Sequence, residues 1–140
     1  FTFPTSDGTS GQFIKTDGSG NLSFATAGAT LSHSDLADAT TTVASSATST
    51  LNQFDKTVYR SVKLFISATD ATNSRFEIVE ANVTHDGTNA FISTFGSTTN
   101  YTGGLCVFSA DISGDNVRIR VTNISDASTV FKLQRIAMDI

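Results

Sequence analysis

From Leu51 onward, apolar side chains fall at every second position. Val58, Arg60, Val62, Leu64 and Ile66 alternate with Tyr59, Ser61, Lys63, Phe65 and Ser67. Period two marks a strand with one face against a core. The same pattern predicts a strand beginning at Phe76 and Ile78, with Val79, Ala81 and Val83 on its opposite face. Further strands are expected at Ala90-Phe91-Ile92-Ser93-Thr94-Phe95, over 105–110, at Val117, Ile119 and Val121, and over 130–138. Turn residues separate them: His85-Asp86-Gly87-Thr88, the polar stretch 96–104, Ser113-Gly114-Asp115 and the stretch 125–128. With two more strands expected near 41–45 and 50–54, the pattern predicts an all-β fold. The expectation is an antiparallel β-sandwich of about eight strands, jelly-roll-like, over residues 40–140.

Before that head the pattern is different. Asp7-Gly8-Thr9-Ser10-Gly11 and Asp17-Gly18-Ser19-Gly20-Asn21 are turns, with the two Asp-Gly steps ten residues apart. Each precedes a short apolar run, Gln12-Phe13-Ile14-Lys15 or Leu22-Ser23-Phe24-Ala25. Such runs cannot bury a core, and a repeat that cannot cover its own apolar face needs neighbours. Residues 1–25 are therefore expected to be a short β-repeat stalk that meets other copies of the chain. Residues 26–39, rich in Ser, Thr and Ala, are expected to be an extended connector, although Ser34 would also serve as a helix N-cap.

Composition narrows the function classes. The chain has 140 residues, is 39% hydrophobic and only 16% charged, and has a net charge of −4 with no basic cluster. That leaves no electrostatic footprint for nucleic acid or for an anionic membrane surface. No run is long and apolar enough to insert in a membrane as a helix. Cys106 is the single cysteine, so no intrachain disulfide forms, and its apolar surroundings suggest a small buried hydrophobe. The chain begins at Phe1 rather than methionine, which suggests a piece of something longer. Most of the eleven phenylalanines are expected in the core, although Phe65, Phe95 and Phe108 would suit a subunit interface if they faced outward.

Two stretches resemble a known family. Phe3-Pro4-Thr5-Ser6-Asp7-Gly8, followed by residues 11–24, resembles the stem repeat of tail fibres and appendages of tailed bacteriophages. His85-Asp86-Gly87-Thr88 and residues 108–118 are similar to β-sandwich heads of structural proteins in marine phages, especially those of cyanobacteria. The resemblance implies a homotrimeric virion appendage, exterior to the particle and joined to other fibre or tail proteins through its N-terminal side. It supplies no catalytic residue.

The residues themselves point the same way. His33 and His85 each lack a histidine two positions away, so no metal and no cofactor is expected. Glu77 and Glu80, the only glutamates, lie an odd number apart on a strand and face opposite sides, so they cannot act as a glycosidase pair. No Gly-x-Ser-x-Gly elbow occurs. The expectation is a chain that is not an enzyme.

A topological argument locates a binding site. If every strand spans the sandwich, connections alternate between its ends. Residues 45–49, 69–73, 96–104 and 125–128 then gather at the end away from the stem, and Ile140 lies at the other. Loops at the free end of a rigid scaffold are where binding usually resides. Asp70, Asn73, Asn100, Tyr101 and Asp126 are the candidates for contact with a host-surface glycan or protein receptor. The alternatives are a purely structural trimerisation, capping or docking module between virion components, and a surface-polysaccharide depolymerase.

Overall fold

The computed structural model describes residues 1–26 and 31–140. They form two compact units, Phe1–Ser32 and His33–Ile140.

The first unit is a hairpin of β1 (Gln12–Thr16) and β2 (Leu22–Thr26), paired antiparallel with Ile14 opposite Phe24. Its turn is built by Asp17, whose Oδ1 accepts the N–H groups of Ser19 at 2.7 Å and Asn21 at 3.1 Å. These bonds, led by the one from the Asn21 side chain, hold the Asp17 carboxyl below its ordinary pKa. Gly18 and Gly20 take φ values of 82° and 93°, a region that glycine enters without steric cost. Thr2 pairs with Asn21 and so lies alongside the hairpin. None of the described residues of this unit is buried, and Phe1, Phe3, Phe13 and Ile14 are exposed.

The second unit holds eight strands: β3 (Ser34–Val43), β4 (Thr48–Asp55), β5 (Tyr59–Asp70), β6 (Arg75–His85), β7 (Ala90–Thr99), β8 (Cys106–Ser113), β9 (Asn116–Asn123) and β10 (Thr129–Asp139). They make a five-stranded sheet in the order β3-β10-β5-β6-β7 and a three-stranded sheet in the order β4-β9-β8, with every pairing antiparallel. The chain is all-β. The first strand pairs with the last, and the second with the one before it, which is the nesting of a jelly roll. Between these, β5, β6 and β7 form a plain meander.

One core lies between the sheets. Val62, Leu64, Ile66, Val79, Ala81, Val83, Phe131 and Leu133 of the larger sheet meet Leu51, Phe54, Val117, Ile119 and Val121 of the smaller. Arg135 also points inward. Its Nη2 donates to Asp35 at 2.7 Å, and its Nη1 donates to Asn52 Oδ1 and Gln53 O at 2.9 Å each, so it ties edge strand β3 to edge strand β4.

Two expectations change. Residues 34–39, expected in the connector, belong to β3, because Leu36 to Val43 pair residue for residue with β10. Residues 27–30 of that connector lie outside the described residues. Phe65 and Phe95, expected in the core, face outward, whereas Phe108 packs against it. The strand pattern allows either face, and Phe65 shares its outer face with Glu80, its cross-strand partner.

The two kinds of phenylalanine differ in energy. Truncating a buried aromatic costs the transfer energy and leaves a cavity. Phe131→Ala, at 0% exposure, is expected to lose about 3–5 kcal/mol of unfolding free energy in urea. Phe65→Ala, at 48% exposure, is expected to lose about 1 kcal/mol or less under conditions where the chain is monomeric.

Candidate functional site

Connections 44–47, 71–74, 100–105 and 124–128 meet at one end of the sandwich. They are stitched directly to one another. Asn123 N–H donates to Ala47 O at 3.0 Å, Ser45 Oγ donates to Ser125 O at 2.8 Å, and Ile124 N–H donates to Leu105 O at 2.9 Å. At the opposite end, Ile140 N–H donates to Val58 O and Asp139 N–H to His33 O, so the unit begins and finishes there.

Asp70 lies at the centre of the cluster and is fully buried. Its Oδ2 accepts from Ser125 Oγ at 2.6 Å and from Asn73 Nδ2 at 2.8 Å, and its Oδ1 accepts from Asn73 N–H at 3.1 Å. The Ser125 hydroxyl, and then the Asn73 side chain, hold the carboxyl below its ordinary pKa of 3.8. Asp70 therefore organises the loops from inside and offers no surface to solvent, which corrects its place among the contact candidates.

The other candidates are on the surface. Asn73 spends its second amide proton on Asp126 Oδ1 at 2.9 Å. Arg75 Nη1 donates to the same oxygen at 2.7 Å and lies 3.9 Å from Asp70 Oδ2. The Arg75 guanidinium sits 3.9 Å from the centroid of the Tyr101 ring, a cation–π stack that holds the phenol in place. Asn100 Oδ1 accepts from Phe76 N–H at 2.7 Å, and Asn100 Nδ2 donates to Ser74 O at 3.1 Å. All five candidates thus belong to one cluster, four of them exposed.

Arg75 and Glu77 belong to the same assembly and escape a reading of the loops alone. Arg75 opens a strand, where a cation looks like ordinary solvated charge. Glu77 points inward, accepts from Ser97 Oγ at 2.8 Å and from Leu105 N–H, and so clamps the connection that carries Tyr101. Cys106 is beside it, with Sγ 3.7 Å from Glu77 Oε2, and burial followed by that carboxylate pushes the thiol well above its ordinary pKa.

His85 is also structural. Its Nδ1 accepts from Gly87 N–H at 3.1 Å, which leaves Nε2–H to donate to Tyr59 O at 2.8 Å. Among the described residues no three His, Cys, Asp or Glu side chains gather as a metal ligand set.

No protein-family model matches the chain, and no curated protein matches it. Solved structures similar to it are phage tailspikes. The tailspike of Acinetobacter baumannii phage AM24 aligns at 9% identity and a TM-score of 0.41, over 76% of this chain and 26% of that one. That of Acinetobacter phage vB_ApiP_P1 aligns at 19% identity and a TM-score of 0.41, over 82% and 23%. The tailspike of Acinetobacter baumannii bacteriophage Fri1, a capsular polysaccharide depolymerase, aligns at 14% identity and a TM-score of 0.37, over 77% and 20%. The chain thus spans about a quarter of the length of the tailspikes it matches or less. The expectation that the chain is not an enzyme is corrected by the depolymerase among these structures and is withdrawn. That expectation rested on motifs within one chain, whereas acid pairs assembled between copies leave no local signature.

The Asp70 carboxyl gives the cluster a pH signature. A carboxyl whose folded pKa is lowered contributes stability above its unfolded pKa and loses it as pH falls through the folded value. Asp70→Asn is therefore expected to lower Tm at neutral pH. The gap to the parent should narrow as the pH falls below about 4. Melting curves from pH 7 to pH 2 check this, and a gap that stays constant would remove Asp70 from its organising role.

Proposed function

We propose that the chain is a tail-appendage domain of a bacteriophage that recognises a host-surface glycan through the loop end of its sandwich. The observation that carries this is the mutual anchoring of Asn73, Asn100, Tyr101 and Asp126, on three connections, with Arg75 at the start of β6, around a buried carboxylate. A sugar offers hydroxyls and flat C–H faces. An immobilised tyrosine ring, a carboxylate and two amides are complementary to both. Arg75 already faces two carboxylates, so the cluster favours neutral hydroxyls over a strongly anionic group.

The N-terminal residues that resemble a fibre stem support placement on the virion exterior, joined there to other tail proteins. A homotrimer would present three loop ends at once. Avidity then multiplies a weak single-site affinity without new contacts.

The test is a panel of purified bacterial capsular and O-antigen polysaccharides, scored for binding and for cleavage. At least one is expected to bind, and Tyr101→Ala is expected to weaken that binding roughly tenfold or more, with Tm nearly unchanged. Equal binding by the variant would move recognition away from the loops, and release of oligosaccharides would identify a catalytic function as well.

A further inference from the structure

We propose that the outer face of the five-stranded sheet is an interface with a second copy of this chain. The inference rests on the reading of the chain as one subunit of an oligomer, and it names the surface that would carry the contact.

The two outer faces of the sandwich differ sharply. On the three-stranded sheet, Arg118 binds both oxygens of Asp111 at 2.7 and 2.8 Å, Arg120 lies 3.7 Å from the same carboxylate, and Thr48 bonds Thr122. Val107 is the large apolar side chain exposed there. On the five-stranded sheet, Leu36, Phe65, Phe91, Phe95, Ile136 and Met138 are between 40% and 59% exposed. The register sets them on three successive rows, with Leu36 directly beside Ile136, Ser61 and Thr84 between Met138 and Phe91, and Glu80 between Phe65 and Phe95. Met138 and Phe91 lie on one cross-strand row, Leu36 and Ile136 on the next, and Phe65 and Phe95 on the third. Two adjoining depressions of about 580 and 500 Å³ run between these side chains and share Lys63 and Ile136. Depressions lined mainly by apolar side chains mark an interaction site.

Charge and the first unit identify the occupant. The charged positions on this face are Asp38, Lys63, Glu80 and Lys132, two of each sign, although the chain as a whole carries −4. Lys63 and Glu80 are paired across strands at 2.7 Å, and Lys63 Nζ also lies 5.6 Å from the centre of the Phe95 ring. A strongly charged partner finds nothing to complement. Identical copies, which repel elsewhere on their surfaces, meet no net like charge here. Unit Phe1–Ser32 independently requires neighbours, because none of its described residues is buried. A second copy of the same chain meets both needs.

The experiment is sedimentation of the full chain over a range of concentrations. The parent is expected to sediment at a multiple of the single-chain mass. Ile136→Lys and Phe65→Lys, each placing a charge on an exposed apolar position, are expected to weaken association roughly tenfold or more. Circular dichroism should confirm that both keep their fold. Val107→Lys, on the other outer face, is expected to leave the mass unchanged. A monomeric parent would overturn the proposal together with the oligomeric reading. An oligomer unaffected by either face variant but dissociated by Phe13→Lys would overturn the proposal alone, and leave an oligomer held by the first unit. Polysaccharide binding at high concentration, measured on the same variants, reports separately on the loop-end reading.

Discussion

The conformation of the loop end depends on one fully buried amide, that of Asn123. Its nitrogen donates to Val43 O at 3.0 Å and to Ala127 O at 2.8 Å, and its oxygen accepts from Ser125 N–H and the Thr129 hydroxyl. A buried amide left unpaired costs a few kcal/mol, so its satisfaction is a strong constraint on the path of the chain. Here it fastens the β9–β10 connection to the end of β3. Ser125, held in place by Asn123, then reaches Asp70, and Asp70 reaches Asn73 and Arg75. The surface cluster is thus joined to the core by an unbroken line of hydrogen bonds. Its order follows from the packing of the sandwich as well as from contacts among its own side chains.

Both ends of the sandwich use the same device with different residues. At the far end, His85 is buried and spends both ring nitrogens, one on the turn at Gly87 and one on Tyr59 O. That end gathers short turns and the last residue, with Lys56 bonded to Gly114 O and Asp115 O. Short turns there leave little surface for recognition. The longest connection in the unit, 100–105, lies at the Asn123 end, clamped by Glu77 and by the Asn100 side chain. Preorganised loops bind with a smaller entropic penalty, and that is the physical basis for assigning recognition to this end.

Much of this was legible in the sequence because strands announce themselves by period two. Val79, Ala81 and Val83 are buried and Phe76 and Ile78 exposed, as alternation requires. Alternation of connections also follows from strand count alone, and it is why Asn73, Asn100, Tyr101 and Asp126 come together. Three features were not legible. Period two says which residues share a face but not which face is covered, so Phe65 and Phe95 read as core when they are exposed. The first residues of β3, from Ser34 to Ala39, look like a linker because their pairing partner, β10, lies at the other end of the chain. Burial of Asp70 depends on Ser125, which is 55 residues away.

The central claim is that the loop end of the second unit contacts a host-surface polysaccharide. Amide chemical-shift mapping of the labelled chain, titrated with whichever purified polysaccharide binds best, tests it most directly. The account predicts perturbations concentrated in residues 71–74, 100–105 and 124–128, with the turns at 86–89 and 114–115 unmoved. Perturbations centred on those turns, or none at saturating polysaccharide, would contradict it.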